Sequence, residues 1–288
     1  MATISPASLP PIVSSIEPLS SDKKAWICDI WGVMHNGITS FPSAWDACCK
    51  FRESGGTVLL LTNAPRPAGP VTVQLEQLGV PETAFDVILT SGDMTRTLIE
   101  RRLPAPLFHL GPPRDKPLFA GFDAKFEGSM DAEFVVCTGL FNDEKETPAN
   151  YEEVLGIFKS RNLPMICANP DIKVERGERV IYCAGALAER YRELGGEVIY
   201  AGKPHLPVYE RAMELISEKR GETLAKSDVL AIGDGVHTDI AGAINCGVDV
   251  VFIASRIHVD GSLDDQALAG LFPADKPTPV AAMTALAW

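Results

Sequence analysis

The chain has 288 residues, of which 46% are hydrophobic, with a net charge of −12. That length supports one large or two modest domains, and two is the better fit. The acidic balance excludes nucleic acid or an anionic membrane as partner, since either demands a basic surface, and favours a small ligand with a bound cation.

The opening MATISPASLPPIVSSIEPLS has no basic leader and no continuous apolar core, and reads as a loose, proline-marked arm over residues 1–20. Nowhere is there an apolar run long enough to span a bilayer. The seven cysteines (28, 48, 49, 137, 167, 183 and 246) form no CxxC pair and sit in apolar runs, so buried free thiols in a reducing cytoplasm are expected.

Short apolar runs then recur: AWICDIW, TVLLLT, FDVILTS, PLFHL, EFVVCTG, PMICAN, RVIYCA, EVIYAG, DVLAIGD and VDVVFIA. Such runs suit strands buried on both faces. Between many of them lie amphipathic segments of helix length, at residues 42–54, 71–79, 150–161, 185–195, 207–219 and 238–247. The alternation predicts an α/β fold, a doubly wound parallel sheet of Rossmann type with helices on both faces. From 103 to 128 prolines and glycines crowd together (LPAPLFHLGPPRDKPLFAGF), which marks an insertion. The expected division is therefore a discontinuous core of residues 21–102 and 197–260, an α/β cap of 103–196, and a tail of 261–288 that packs on the core.

Polar groups stand at four strand ends, where open α/β sheets bind their ligands. They are Asp29, then Thr62 and Asn63 in LLLTNAPRP, then Lys203 in YAGKPH, then Asp234 and Asp239 in LAIGDGVHTDI. Converging carboxylates suit magnesium, a lysine gives a point charge for phosphate, and a threonine hydroxyl with turn amides can hold phosphate oxygens. Singly, each has a plainer reading: a turn or cap for the aspartates and Thr62, a solvated loop residue for Lys203. Together and in order they describe phosphoryl transfer.

That ordered set resembles the haloacid dehalogenase superfamily, from about Lys24 to Ala254. TNAPRP, TSGDMT at 90–95, ANPD at 168–171, GALAERYRELGG at 185–196 and GKPHLPVYE at 202–210 are similar to class IIA, which includes pyridoxal, sugar and nucleotide phosphatases. The resemblance implies a nucleophilic Asp29, phosphate binding by Thr62 and Lys203, and magnesium held by Asp29, the Trp31 carbonyl, Asp234 and Asp239. It implies a cap that chooses the substrate, a small phosphorylated metabolite such as a sugar phosphate, through Asn169 and Asp171. Arg66 either guides an anionic substrate or is a solvated helix-start residue. Relatives often pair through the cap, so a homodimer is among the assemblies implied.

At Trp31 the pattern departs. The family's phosphatases normally carry a second aspartate there, which protonates the leaving group and then activates water. Indole has no basic site. Three readings stay open: His35 moves the proton instead, the leaving group needs no acid, or the protein is a weakly active or inactive phosphate-ligand binder. For His35 the plainer alternative is a packed loop residue. The Trp31 ring either fills space or stacks on a planar substrate. Dehalogenation is disfavoured, because it has no use for the magnesium-binding pair.

Overall fold

The computed structural model describes residues 9–176, 179–254, 262–273 and 276–288. The chain divides into two compact units. Unit 1 comprises Met1–Leu61, Leu75–Ile88 and Tyr209–Trp288; unit 2 comprises Thr62–Gln74 and Leu89–Val208. These bounds differ from the division expected from texture: residues 62–74, 89–102 and 197–208 associate with the inserted segment rather than with the core.

The larger sheet has six strands, β1 (Ala25–Asp29), β2 (Thr57–Thr62), β3 (Val87–Thr90), β10 (Val229–Gly233), β11 (Asp249–Ile253) and β12 (Ala281–Met283), in the order β12-β11-β10-β1-β2-β3. The pairs β1–β10, β1–β2, β10–β11 and β11–β12 are parallel. Every residue of β1, β2 and β10 is buried, which explains why these strands read as continuous apolar runs instead of alternating ones. The helix Pro42–Glu53 makes the crossover from β1 to β2, started by Pro42 at its first turn and ended at Gly55 in the left-handed region. It buries Phe51 against Trp26 of β1, the rings stacked at 4.2 Å and 4°. An aromatic pair of this kind contributes about 0.5–1.5 kcal/mol beyond the area it buries.

Unit 2 holds a parallel sheet of β4 (Leu107–Leu110), β5 (Phe134–Cys137), β6 (Met165–Cys167) and β9 (Val198–Tyr200), in the order β4-β5-β6-β9. Alternate residues feed two separate cores. Val135 and Cys137 pack with Phe158 and Tyr191, whereas Phe134 and Val136 pack with Leu118 and Ile99. The strand period of two thus covers both faces.

Three expectations need correction. RVIYCA is not a strand buried on both faces; its β8 (Arg179–Tyr182) pairs antiparallel with β7 (Lys173–Arg176), and Val180 is 56% exposed. The arm is not loose over its described part, because Val13 N–H and Pro11 C=O both bond to Ala282 of β12 and Ile16 is fully buried. Residues 1–8 lie outside the described residues. Finally, a helix at Ser91–Glu100 went unread. Its capping box is visible in TSGD: Asp93 N–H donates to Thr90 Oγ1 at 2.9 Å, and Thr90 N–H to Asp93 Oδ2 at 3.1 Å.

All seven cysteines are free, six of them buried and Cys49 partly so. Among the described residues no helix is long and apolar enough to cross a membrane.

Candidate active site

In unit 1 the parallel pair β1 and β10, in register at Cys28 and Ile232, delivers its carboxyl ends to one edge of the sheet. Asp29 closes β1, Asp234 follows β10, and Asp239 sits one turn later in the π-helical turn Val236–Ile240. All three are buried, and one carboxylate oxygen of each lies within 4.8 Å of the others. Glycines make the approach possible. Gly32, with φ +90°, leaves no room for a Cβ beside the Asp234 carboxylate, and Gly233 does the same beside Asp239. Asp239 Oδ2 also accepts from Gly235 N–H and Thr238 Oγ1, each at 3.2 Å. Three anionic oxygen donors brought this close repel one another unless a cation intervenes, and the all-oxygen set suits a hard divalent ion. The sequence-expected acids fit magnesium.

The loop after β1 explains Trp31 in packing terms. Its ring covers Gly37, where any Cβ would collide with it, and meets His35 edge-on at 5.0 Å and 73°. His35 is 2% exposed and staples the loop twice: its carbonyl accepts from Gly32 N–H at 2.8 Å, and its Nδ1 accepts from Gly37 N–H at 2.9 Å. A ring nitrogen that accepts from an amide carries no proton there, which favours the Nε2–H tautomer of His35. Neutral imidazole is a poor proton donor. Burial and these two hydrogen bonds agree with the packed-loop reading of His35.

In unit 2, Asn63 is a clamp. Its Nδ2 donates to Asp171 Oδ1 at 2.9 Å and to the Lys203 carbonyl at 3.2 Å, while its Oδ1 accepts from Lys203 N–H at 2.8 Å. Thr62 Oγ1 accepts from Ala64 N–H at 3.2 Å, so the hydroxyl also shapes the turn after β2. Asn169 Oδ1 accepts from Asp171 N–H at 3.0 Å, the hydrogen bond of an Asx turn. The unit thus brings Asn63, Asp171 and the buried Lys203 together, and gives Asn169 to the turn that presents Asp171. Gly202 lies so close to the Asn63 amide and Ser91 that a side chain there would collide with both.

Residues that sequence reasoning passed over gather on the carboxyl side of β4 and β5. His109 Nε2 is 2.9 Å from Thr138 Oγ1, and Thr138 also bonds the buried Asp115. Burial holds the His109 ring neutral, its pKa lowered from 6.5 to about 4, with Lys116 adding to the effect. Folding therefore excludes a proton that the unfolded chain binds below about pH 6.5. The stabilisation is full above that value and is lost as the pH falls toward about 4. Urea midpoints measured across this window should decline with falling pH, and less steeply for His109→Gln; equal slopes would show that another group governs the acid side.

Comparison with known proteins agrees with this geometry. The family model described as haloacid dehalogenase-like hydrolase matches residues 26–125, and one described as HAD-hydrolase-like matches residues 200–285. A crystal structure of a hydrolase of the haloacid dehalogenase-like family from Brucella suis 1330 is 45% identical, with a TM-score of 0.86 over 95% of this chain and 99% of that one. The 5'-nucleotidase YutF of Bacillus subtilis (strain 168) is 25% identical over 81% of this chain and 88% of its own length. An acid sugar phosphatase of Staphylococcus saprophyticus is 24% identical over 85% of this chain and 92% of its own. Conformity in sequence at this level, together with buried acids at the ends of β1 and β10, means that the chain belongs to the haloacid dehalogenase-like hydrolases, in class IIA of that superfamily.

Proposed function

We propose that the protein is a phosphohydrolase of small phosphorylated metabolites that works through a covalent intermediate on Asp29. The observation that carries this reading is the trio of buried carboxylates, Asp29, Asp234 and Asp239, within 4.8 Å at adjacent strand ends. Asp29, Asp234 and Asp239, with the Trp31 carbonyl, would hold magnesium, which offsets the charge that otherwise keeps an anionic nucleophile from an anionic phosphate. A carboxylate oxygen of Asp29 attacks phosphorus, the bond to the leaving oxygen breaks, and the leaving group departs with its electron pair. Water then attacks the aspartyl phosphate, releasing inorganic phosphate and restoring the Asp29 carboxylate. Lys203 and Thr62 bind phosphate oxygens, and Asn63 fixes the Lys203 backbone through two hydrogen bonds. The curated relatives, a nucleotidase and a sugar phosphatase, support a small phosphate ester as substrate.

In this reading Trp31, packed on Gly37, and His35, held in the loop by the Gly37 amide, supply no acid to the leaving group. Low-pKa leaving groups are favoured as a result. Initial rates with alkyl, aryl and acyl phosphates, with magnesium or with a chelator, test the whole reading: turnover should require magnesium and rise from alkyl to acyl. Metal-independent rates that Asp29→Asn leaves unchanged would refute it. Trp31→Asp should raise alkyl phosphate turnover by about 10²- to 10⁴-fold, the usual worth of general acid–base help. Acyl phosphate should gain little. Trp31→Ala separates this from loss of packing, and equal behaviour of the two variants would discard the missing-acid account.

A further inference from the structure

Basic side chains stand at several strand ends of unit 2, within an acidic chain. Arg114 follows β4, Asp143 follows β5, Arg176 ends β7, and Lys203 follows β9. Asp143, its side chain only 6% exposed, pairs with Arg114 at 2.5 Å and with Arg176 at 3.0 Å. One carboxylate thus serves two guanidiniums, whose side chains stay 49% and 31% exposed. Each guanidinium has five N–H donors in a planar fork, so donors remain for a ligand.

Arg66 belongs to the same electrostatic neighbourhood. It is partly buried, its Nη2 donates to the neutral Gln74 at 2.7 Å, and it forms no ion pair among the described residues. Burial lowers its affinity for its proton, the charges of Arg114 and Arg176 lower it further, and Asp115 opposes them. Asp143 thus pairs with two of the three guanidiniums, and the charge of Asp115 acts on the third. A partly buried cation without an ionic partner is costly to maintain, and a bound anion removes that cost.

We propose that Arg66, Arg114 and Arg176 form a subsite for a second anionic group on the substrate, which makes the preferred class a phosphate ester bearing a further carboxylate or phosphate. This rests on the phosphatase reading above. The sheet order gives a scale. The chain exits of β9, which Lys203 follows, and β4, which Arg114 follows, are three strand spacings apart, or about 14 Å at roughly 4.8 Å per strand. Long lysine and arginine side chains reaching inward from those exits can bracket a molecule of a few carbons, with its phosphate toward Lys203 and its other charge toward the arginines.

Two matched pairs test the subsite and distinguish the two kinds of anion: 3-phosphoglycerate against glycerol 3-phosphate, and fructose 1,6-bisphosphate against fructose 6-phosphate. In the wild type, kcat/KM should favour the doubly anionic member at least tenfold in one pair or both. Arg66→Gln breaks no ion pair, and it should bring that ratio close to one; Arg66→Lys, which keeps charge without the fork, should fall between. Equal rates within both pairs, or a ratio that Arg66→Gln leaves intact, would overturn the proposal. Should the wild type hydrolyse nothing, the phosphatase reading fails by itself. Calorimetric affinities for 3-phosphoglycerate and glycerol 3-phosphate then decide the subsite: a preference lost in Arg66→Gln supports it, and equal affinities in the wild type reject it.

Discussion

Asp29→Asn is expected to lower hydrolysis of every phosphate ester by roughly 10³-fold or more, the scale of effect seen when a nucleophile is removed. The same change should weaken magnesium binding, because a neutral amide at position 29 removes one of the three anionic donors that lie within 4.8 Å of one another. Millimolar magnesium should lift the wild-type melting temperature, since binding to the folded state alone stabilises it. That lift should shrink in Asp29→Asn. A variant that keeps the full magnesium lift would contradict the metal site, and one that keeps its turnover would contradict the nucleophile.

Gly32→Ala should be nearly as damaging, although it removes no functional group. At φ +90° a side chain carries a backbone cost of about 1–2 kcal/mol. A Cβ there would also run into the Asp234 carboxylate and push it aside. Misplacing a group that orients a metal site typically costs 10- to 100-fold in affinity or activity, and a fall of about that size is expected in both magnesium affinity and turnover. Gly55→Ala is the matched control. Gly55 has a similar φ of +94°, but its Cβ would point into open space. It should lose stability and keep magnesium binding. If the two variants behave alike, backbone strain alone explains Gly32.

The sequence carried the parallel core plainly, because β1, β2 and β10 are buried along their whole lengths and leave an unbroken apolar record. Asp29, Asp234 and Asp239 were legible for the same reason: each ends or follows a strand that announces itself. β7 and β12 were not legible. β7 is short and solvent-facing, with Lys173, Glu175 and Arg176 among its four residues, and β12 is a three-residue edge strand. The expected domain bounds follow local composition, whereas the association of residues 62–74 with the inserted segment depends on contacts such as Asn63 with Asp171. The arginine group was hidden too. Arg66, Arg114 and Arg176 are far apart in sequence, and nothing local marks Asp143 as a shared partner. His35 shows the complementary limit, for its residue type suggested a titrating group and one amide hydrogen bond assigned it to the loop.

The edge strand β12 has a consequence for biosynthesis. Pro11 and Val13 bond to Ala282, and the Ile16 amide bonds to the Ala287 carbonyl. The first segment of unit 1 therefore waits for partners that lie far downstream in the sequence. Every piece of unit 2 has been synthesised once Val208 emerges. A ribosome-bound chain can accordingly complete the arginine-bearing sheet while β1, with Asp29 at its tip, still lacks β10 and its two acids. Folding by domains in order of synthesis would let the acidic site form only after unit 2.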